Sequence, residues 1–327
     1  MIFMKKDKKI LYINDYANSS SVLFLCDEFK YPRQHLWGAD ALRKEYDVTF
    51  ASFPSCRITP FTKLWINFLL FLKYWRYDLI YSAVPNFTLF FSLCKLLRLK
   101  KYKLVTIIHH PTTLALFIST IDKLIFISED VKNDYINKVH NKKLPAEYVF
   151  WGGDMDFYTH YYHQYNHKYD FICAGKIHRD FSLLQQCLPA DARCLMIGNK
   201  SSVKNEIKES ELMEYYLQSR FVIIPIVDYG TTDIPVLAGL TSFVDALCMR
   251  IPVIMSDNTL IGVDVEELGF GRIYKAGNSD ELRDVLKEMQ GLSDEEYKQM
   301  RNKISVFLQG HTYEDFCKKI YSIITSL

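Results

Sequence analysis

Short runs of β-branched and aromatic residues alternate with helix-like segments along almost the whole chain. A strand followed by a helix and another strand is typical of a parallel sheet with helices on its faces. The alternation therefore predicts a doubly wound α/β fold. The predicted strands are 22–26, 48–51, 79–82, 104–108, 123–127 and 148–150 in the first half and 171–174, 193–197, 221–225, 253–255 and 271–274 in the second, with 9–14 as a further candidate for an edge strand.

The length of the chain allows two such domains. With 327 residues it can bury a full core in each of them. Residues 157–169 (FYTHYYHQYNHKY) show no clear period, so we predict the interdomain linker there. The predicted domains are 1–157 and 171–312, with a linker over 158–170 and a final helix over 313–327. Two such domains would bind ligands in a cleft that faces the carboxyl ends of their strands.

The composition excludes several classes of protein. Apolar residues make up 49% of the chain, which indicates a globular protein, and a net charge of +2 does not indicate general nucleic-acid binding. The eight cysteines are scattered without a CxxC pair, and the first residues do not form a secretory signal. We therefore expect a cytoplasmic protein with reduced thiols.

Two segments bear on membrane contact. The sequence does not reach the ~18 uninterrupted apolar residues of a membrane span. Residues 61–75 and 87–99 come closest, and both are rich in aromatic residues and interrupted or followed by lysines. Two interpretations stay open, namely core-facing helices of an α/β layer and interfacial helices in peripheral contact with an anionic inner membrane.

Residues 239–257 (GLTSFVDALCMRIPVIMSD) predict a glycine, a capped helix and a short buried strand. Thr241 and Ser242 are N-cap residue types, and Asp245 follows Ser242 at the spacing of a capping box. A helix that begins at a glycine presents free backbone N–H groups and a positive dipole end. In nucleotide-binding domains these usually meet a phosphate.

The chain contains, in this order, YDLIYSAVPN, KLVTIIHHP, IDKLIFISEDVKNDY, AEYVFWGGDMDFY, FICAGKIHRDFSLL, RCLMIGN, SRFVIIPI and GLTSFVDALCMRIPVI. This ordered series resembles the retaining GT-B glycosyltransferases of group 1. The resemblance implies two Rossmann-like domains that face a cleft, with the helix over 313–327 crossing back to the N-terminal domain. It also implies transfer of a sugar from a nucleotide-diphosphate donor to a glycan or lipid-linked glycan, with retention and without a metal or other cofactor.

The resemblance assigns three catalytic residues. Lys176 and Arg179, in AGKIHRD after the first strand of the second domain, would meet the charge of the departing diphosphate. The alternative is a surface lysine and an Arg179–Asp180 pair that fixes a loop. His109, which follows the strand VTII, would hydrogen-bond the donor sugar from the N-terminal side of the cleft. The alternative for His109 is a structural role.

A larger set is expected to bind the substrates. The family carries a ribose-binding carboxylate at the position of Asp245, and the alternative is that Asp245 serves only its own helix. In the loop RQHLWGAD, His35 and Trp37 are expected near the acceptor. The predicted donor-binding residues are Gly38, Gly175, Gly198, Asn199, Pro225, Ile226, Val227, Gly239, Leu240, Thr241, Ser242 and Asp245.

The chain departs from the family at one carboxylate. The family often has two glutamates separated by seven residues, and the matching positions here are Leu237 and Asp245. Asp233 is a candidate to replace the first glutamate. Paired carboxylates for a double displacement do not stand out, so departure assisted by the leaving phosphate is expected.

Two alternatives to a transferase stay open. The first is a catalytically silent GT-B protein that binds a glycan or a partner enzyme, which the missing glutamate favours. The second is a nucleotide-sugar epimerase, which would need acid and base carboxylates in the cleft. His160, His163 and His167 have helical spacing, but since a Cys, Asp or Glu does not complete the set, a metal site is not predicted.

Overall fold

The computed structural model describes residues 6–14, 20–53, 59–109, 118–138, 145–162, 165–198, 207–228 and 237–327. The strands are β1 (Lys6–Ile13), β2 (Tyr46–Phe50), β3 (Leu79–Ser82), β4 (Lys103–Ile108), β5 (Lys123–Phe126), β6 (Ala146–Tyr148), β7 (Tyr169–Ala174), β8 (Cys194–Ile197), β9 (Ser219–Ile224), β10 (Val253–Ser256) and β11 (Gly271–Tyr274). The helices are α1 (Ser20–Asp27), α2 (Ala39–Leu42), α3 (Pro60–Tyr74), α4 (Leu89–Leu96), α5 (Glu129–Lys138), α6 (Met155–His160), α7 (Phe181–Cys187), α8 (Glu209–Leu217), α9 (Leu240–Cys248), α10 (Ser279–Gln290), α11 (Asp294–Phe307) and α12 (Tyr313–Thr325). Short 3-10 helices lie at Arg33–Leu36, Pro85–Phe87 and Ile118–Thr120.

The chain divides into two compact units. The first, unit 1, lies within Met1–Glu28, Arg33–Trp151 and Tyr313–Leu327, and the second, unit 2, lies within Phe29–Pro32 and Gly152–Thr312. The change from one unit to the other after Trp151 comes before the segment 158–170 in which we placed the linker.

Part of the predicted linker belongs to the core of unit 2. Asp154 caps α6 by accepting a hydrogen bond from the Phe157 N–H, and both Phe157 and Tyr158 are buried. Tyr165 donates a hydrogen bond from its hydroxyl to the Met249 carbonyl at 3.0 Å. Phe157, Tyr158 and Tyr165 therefore pack against other parts of unit 2.

Unit 1 contains a six-stranded parallel sheet in the order β2-β1-β3-β4-β5-β6. The predicted strand at 9–14 exists as β1, but its placement at an edge is wrong, because Ile10 pairs with Val48 on one side and with Leu79 on the other. Strands in the interior of a parallel sheet are buried on both faces, which explains the continuous apolar run in β1.

The prediction of a strand at 22–26 is also wrong. These residues lie in α1, where Cys26 is buried while Phe24 is 58% exposed. A short apolar run is compatible with either type of element, and its length does not distinguish them.

Unit 2 contains a five-stranded parallel sheet in the order β11-β10-β9-β7-β8. The chain leaves β7 toward β8 on one side and returns as β9 on the other, so β7 and β9 flank a topological switch point. Open α/β sheets bind ligands at the carboxyl ends of the strands at such a point. A ligand of unit 2 is therefore expected at the loop after β7 and the residues after β9.

Candidate functional site

Arg179 lies at the switch point of unit 2. One of its terminal nitrogens donates to the Ser242 hydroxyl at 3.0 Å, and its Nε donates to the Ala174 carbonyl at the end of β7 at 3.3 Å. Within the part of the chain that the structure describes, a carboxylate does not pair with this guanidinium. Burial lowers the pKa of Arg179, because water is removed from a cation that lacks a counter-charge there.

Asp180 does not form the loop-fixing pair that was the alternative for Arg179. Its side chain instead caps α7 by accepting a hydrogen bond from the Leu183 N–H at 2.9 Å. The guanidinium of Arg179 is held by neutral oxygens, since its third partner is the Ile177 carbonyl at 3.4 Å. A cation held in this way keeps its charge available to an anion.

Two glycines allow close packing at this site, one against the guanidinium and one at the start of α9. A Cβ at Gly175 would lie 2.8–3.0 Å from the Arg179 guanidinium atoms, and a Cβ at Gly239 would lie 2.4 Å from Ile224 Cγ2. Both glycines also have positive φ angles, 138° and 86°, which side chains with a Cβ rarely adopt. Gly175 is therefore required for the arginine to lie where it does, whereas Gly239 is required for the close approach of the start of α9 to Ile224. We call Arg179, these two glycines and the first turn of α9 the arginine cradle.

The helix α9 begins differently from the prediction. Its N-cap is Gly239, and no side chain of the described chain caps it. The predicted capping box at Ser242 and Asp245 is wrong, because the Ser242 hydroxyl donates to the Ala174 carbonyl at 3.0 Å while Asp245 lies within the helix. The N–H groups of the first turn are thus left without a capping side chain, which favours anion binding.

Lys176 lies on the surface of the same loop, and its side chain is exposed. Gly198 approaches closely, since a Cβ there would lie 2.5 Å from the Gly175 carbonyl oxygen and 3.2 Å from Lys176 Cγ. Asn199 and Asp233 lie outside the described residues. Leu237, which replaces the first family glutamate, is only 6% exposed and supplies no charge.

Asp245 is buried and hydrogen-bonded. The Tyr158 hydroxyl donates to its Oδ1 at 2.5 Å, and only 3% of the residue is exposed. Burial raises the pKa of Asp245 well above its usual value, with a further contribution from the nearby carboxylate of Glu209. The predicted contact of Asp245 with a ribose stays a prediction.

The segment 225–227, which is among the predicted donor-binding residues, is tied into unit 2. The Pro225 carbonyl accepts from the Asp180 N–H, the Ile226 N–H donates to the Ser256 hydroxyl at 2.9 Å, and the Val227 N–H donates to the His178 carbonyl at 3.0 Å. Both N–H donors of this segment are therefore used within the protein. A base that binds here would have to use carbonyl groups or apolar contacts.

In unit 1, the predicted acceptor residues lie in an aromatic cluster. The indole of Trp37 stacks on His109 with ring centroids 5.1 Å apart and on Trp151 at 4.9 Å. His35 packs edge-on against Trp151 at 5.3 Å, and desolvation lowers its pKa to about 4. The structure thus brings His35, Trp37 and His109 together, and His35 is neutral at physiological pH.

The backbone N–H of Gly38 and the space beside this glycine are used by other residues of the protein. Its N–H donates to the Tyr313 hydroxyl at 3.0 Å, and a Cβ at Gly38 would lie 3.5 Å from Ile320. Tyr313 in turn donates to Asp40. This glycine has a φ of 79° and serves the packing of α12, so its N–H is not available to a diphosphate.

Sequence reasoning missed several residues of these sites. Tyr158 was assigned to the linker, Trp151 was not singled out, and Tyr313 appeared only as the start of the last helix. Each acts through a partner distant in the chain, as Tyr158 does with Asp245, 87 positions away. The aromatic side chains in FWGG and FYTH were the signal that could have pointed to buried contacts.

The histidines considered for a metal site do not come together with other ligands. His160 stacks on Phe29 at 4.7 Å, His167 packs against Tyr297, and His163 lies outside the described residues. The described residues contain no group of three or more His, Cys, Asp or Glu that could hold a metal ion.

Solved structures show the same architecture over the full length of the chain. A glycosyltransferase from Rickettsia africae has a TM-score of 0.66 and 16% identity, covering 97% of this chain and 98% of its own. The chain has the GT-B fold. HepE from Anabaena, in complex with UDP and glucose, has a TM-score of 0.67 and 13% identity, covering 98% of this chain and 100% of its own.

Sucrose-phosphate synthase from Thermosynechococcus elongatus has the same TM-score of 0.67 at 10% identity, covering 98% of this chain and 99% of its own. No protein-family profile and no curated protein sequence matches the chain. At these identities the likeness establishes the GT-B fold, and the chemistry has to be argued from the residues.

Proposed function

We propose that the protein is a glycosyltransferase whose unit 2 binds the diphosphate of a nucleotide-sugar donor. The observation that carries the proposal is Arg179, a half-buried guanidinium without a carboxylate partner among the described residues, held beside the uncapped N-terminus of α9. Burying a cation without a counter-charge destabilises the free protein, so such an arrangement is expected where a ligand supplies the negative charge.

The cradle suits a leaving diphosphate. When the glycosidic bond breaks, the bonding electrons pass to a phosphate oxygen, and the charge there increases. The planar fork of Arg179 can donate two hydrogen bonds to phosphate oxygens, and the first turn of α9 adds N–H groups with its dipole. Lys176 would add a second cation from the surface. Groups that are in place before the reaction stabilise the developing charge without reorganisation.

We further propose retention of configuration and transfer without a metal. A double displacement would need a carboxylate nucleophile at the anomeric carbon, and paired carboxylates do not stand out in the sequence. We therefore propose a front-face route in which the acceptor oxygen attacks on the side that the diphosphate leaves and a phosphate oxygen takes the proton of the acceptor hydroxyl. The acceptor would be a glycan or lipid-linked glycan, for which His35 and Trp37 remain proposed contacts. The resemblance also supports a role for His109 with the donor sugar.

The fold neighbours suggest which nucleotide to test first. Structures of HepE contain UDP and UDP-glucose, and the galactosyltransferase WaaB acts on the outer core of lipopolysaccharide, as its name states. Uridine nucleotides are therefore the first candidates for the donor.

The test is thermal stabilisation by UDP, GDP, ADP and TDP in the presence of EDTA. A ligand at 100 times its dissociation constant should add about 2.7 kcal/mol to the free energy of unfolding, or a few degrees in melting temperature. The shift should be lost in Arg179→Ala and retained in the control Arg193→Ala, whose side chain is 62% exposed. If none of the four nucleotides stabilises the wild-type protein, the proposal is wrong.

One observation favours a second candidate, a catalytically silent protein that binds the nucleotide or a glycan. Leu237 is buried and apolar where the family often has a glutamate near the donor sugar, and the remaining carboxyl, Asp245, is held by Tyr158. Release of the nucleoside diphosphate from a panel of sugar nucleotides separates the candidates. A silent protein would be stabilised by the nucleotide and would not turn over any donor.

A further inference from the structure

The helix α3 of unit 1 is apolar on two opposite faces. Ile66, Leu70 and Tyr74 lie on the buried face, at 1%, 3% and 6% exposure. A helix on the surface of a globular protein usually places polar residues on its other face. In α3 the other face is apolar and exposed, through Phe61 (79%), Leu64 (48%), Trp65 (55%) and Leu72 (53%), and it continues to Trp75 (48%) just after the helix.

The neighbouring helix α4 extends this surface. Phe68 and Phe71 of α3 pack on Phe90 and Phe91 of α4, with ring centroids 5.4 and 5.5 Å apart for the pairs Phe68–Phe90 and Phe71–Phe91. The two helices are thereby fixed side by side. At the end of α4, three leucines are again exposed, namely Leu96 (52%), Leu97 (59%) and Leu99 (73%). We call these outward side chains of α3, α4 and the residues that follow each helix the α3–α4 apolar face.

The charge around this face is mainly positive. Residues 59–77 and 88–103 contain eight of the 40 Lys and Arg residues of the chain and lack Asp and Glu, although the whole chain has a net charge of only +2. Two of these cations, Lys95 and Lys103, pair with Asp122, and the remaining six are free of ion pairs among the described residues. Arg98 and Lys101 are exposed next to the leucines. The Lys100 Nζ lies 5.5 Å from the ring centre of Trp75, so a cation and an exposed indole are adjacent.

A groove continues the apolar surface on one side of α3. It has a volume of about 540 Å³ and lies between Ser52, Phe53 and the helix. Its walls are mostly apolar and include Leu69 and Leu72, which are also part of the exposed surface, while Lys73 lies at its border. The exposed apolar area is therefore contiguous rather than scattered, and contiguous apolar patches mark interaction surfaces.

We propose that the α3–α4 apolar face binds the interfacial region of an anionic lipid bilayer. Exposed Trp and Leu side chains would enter the boundary between headgroups and acyl chains, and the surrounding Lys and Arg would contact the negative headgroups. Among the described residues, a helix long and apolar enough to span a bilayer is not found. The proposal thus concerns a helix pair that lies on the membrane surface, and it stands independently of the proposed donor chemistry.

The charge pattern favours a bilayer over a second copy of the chain. In a symmetric dimer the same surface would meet itself, and the basic residues of both copies would face each other. Like charges in such a contact repel, whereas anionic headgroups neutralise them.

Sedimentation with lipid vesicles tests the proposal on the full chain. Binding is expected for vesicles that contain phosphatidylglycerol, should be much weaker for pure phosphatidylcholine, and should decrease with salt. Phe61→Ser/Trp65→Ser/Leu72→Ser and Arg98→Glu/Lys101→Glu should each weaken binding about tenfold or more. The matched controls are Val306→Ser, at a residue 65% exposed in α11, and Lys287→Glu/Lys298→Glu, at exposed positions of α10 and α11.

Tryptophan fluorescence locates the contact. Trp65 and Trp75 are exposed, whereas Trp37 and Trp151 are 5% and 3% exposed, so a blue shift on adding anionic vesicles should come from the first pair. Trp65→Phe/Trp75→Phe should keep the binding and lose the shift. Equal binding by wild type and the charge-reversal variant would overturn the proposal. The proposal would also be overturned if the wild-type protein were a dimer and Phe61→Ser/Trp65→Ser/Leu72→Ser converted it to a monomer.

Discussion

Two helices of this protein begin at a glycine with a positive φ, and the two glycines serve different ends. Gly38 precedes α2 and Gly239 precedes α9, with φ angles of 79° and 86°. The Gly38 N–H is bound by the Tyr313 hydroxyl, whereas the described chain does not place a capping side chain at α9 and places Arg179 beside it. A glycine at the start of a helix thus indicates a ligand site only where the protein does not fill the position itself.

The largest expected contrast comes from adding a Cβ at each glycine. Gly239→Ala should cost about 2–4 kcal/mol of stability, because the φ is unfavourable and the Cβ overlaps Ile224 at 2.4 Å. Gly38→Ala should cost about 1–2 kcal/mol, because its Cβ makes ordinary contact with Ile320 at 3.5 Å. Urea unfolding measures both values. Stabilisation by the nucleotide should fall in Gly239→Ala and stay unchanged in Gly38→Ala. If the nucleotide stabilised both variants equally, the two glycines would not differ in their relation to the ligand.

Acid should destabilise unit 1 through His35. The pKa of His35 is lowered from 6.5 to about 4, so between these values the unfolded chain binds a proton that the folded protein does not. Stability should therefore fall as the pH falls from 6.5 to 4, with up to about 3 kcal/mol due to His35, and it should be insensitive to this residue above pH 7.

His35→Gln removes that component because glutamine does not titrate. The free energy of unfolding, measured by urea titration at several pH values, should fall less steeply for the variant below pH 6.5. Parallel curves for the two proteins would show that burial against Trp151 does not control the protonation of His35.

A carboxylate at the start of α9 should have opposite effects on stability and binding. Thr241 is exposed in the first turn, and Thr241→Glu should stabilise the free protein by about 0.5 kcal/mol through the helix dipole. The same charge should repel a diphosphate and weaken its binding about tenfold. The control Thr241→Gln is expected to change neither quantity much. Unchanged affinity in the glutamate variant would mean that the nucleotide does not approach this helix end.

The smallest expected effect on nucleotide binding concerns Gly38. Tyr313→Phe removes the hydroxyl that accepts from the Gly38 N–H and donates to Asp40, which should cost about 1 kcal/mol of stability. Nucleotide affinity should stay at the wild-type value, since this position is not part of the arginine cradle. A large loss of affinity, measured by calorimetry, would return Gly38 to the donor site.

Much of the fold followed from local patterns. The strands β3 and β11 coincide with the predicted 79–82 and 271–274. All four residues of β3 are buried, as expected for a short apolar run in the interior of a parallel sheet. The errors at α1 and β1 arose where an apolar run lacked a distinguishing period or where its neighbours in the sheet could not be known.

The candidate site was predicted less completely, because its geometry depends on distant partners. Arg179 and Gly239 could be singled out from the sequence. The hydroxyl that accepts from the Gly38 N–H could not, because it belongs to Tyr313, 275 positions away. Similarly, the capping-box spacing at Ser242 was locally plausible, yet its hydroxyl is used by Ala174 at the end of β7. Local spacing does not show which of two available partners a side chain will take.

The most direct test of the central claim is calorimetric titration with the nucleoside diphosphate that gives the largest thermal shift, with its monophosphate and with the free nucleoside. If Arg179 and the first turn of α9 hold a diphosphate, affinity should fall at least about tenfold with each phosphate removed, as expected for lost charge-assisted hydrogen bonds. Arg179→Ala should bind the diphosphate no more tightly than the wild-type protein binds the monophosphate. Equal affinity for the nucleoside and its diphosphate would contradict the account, because the cradle would then bind no phosphate.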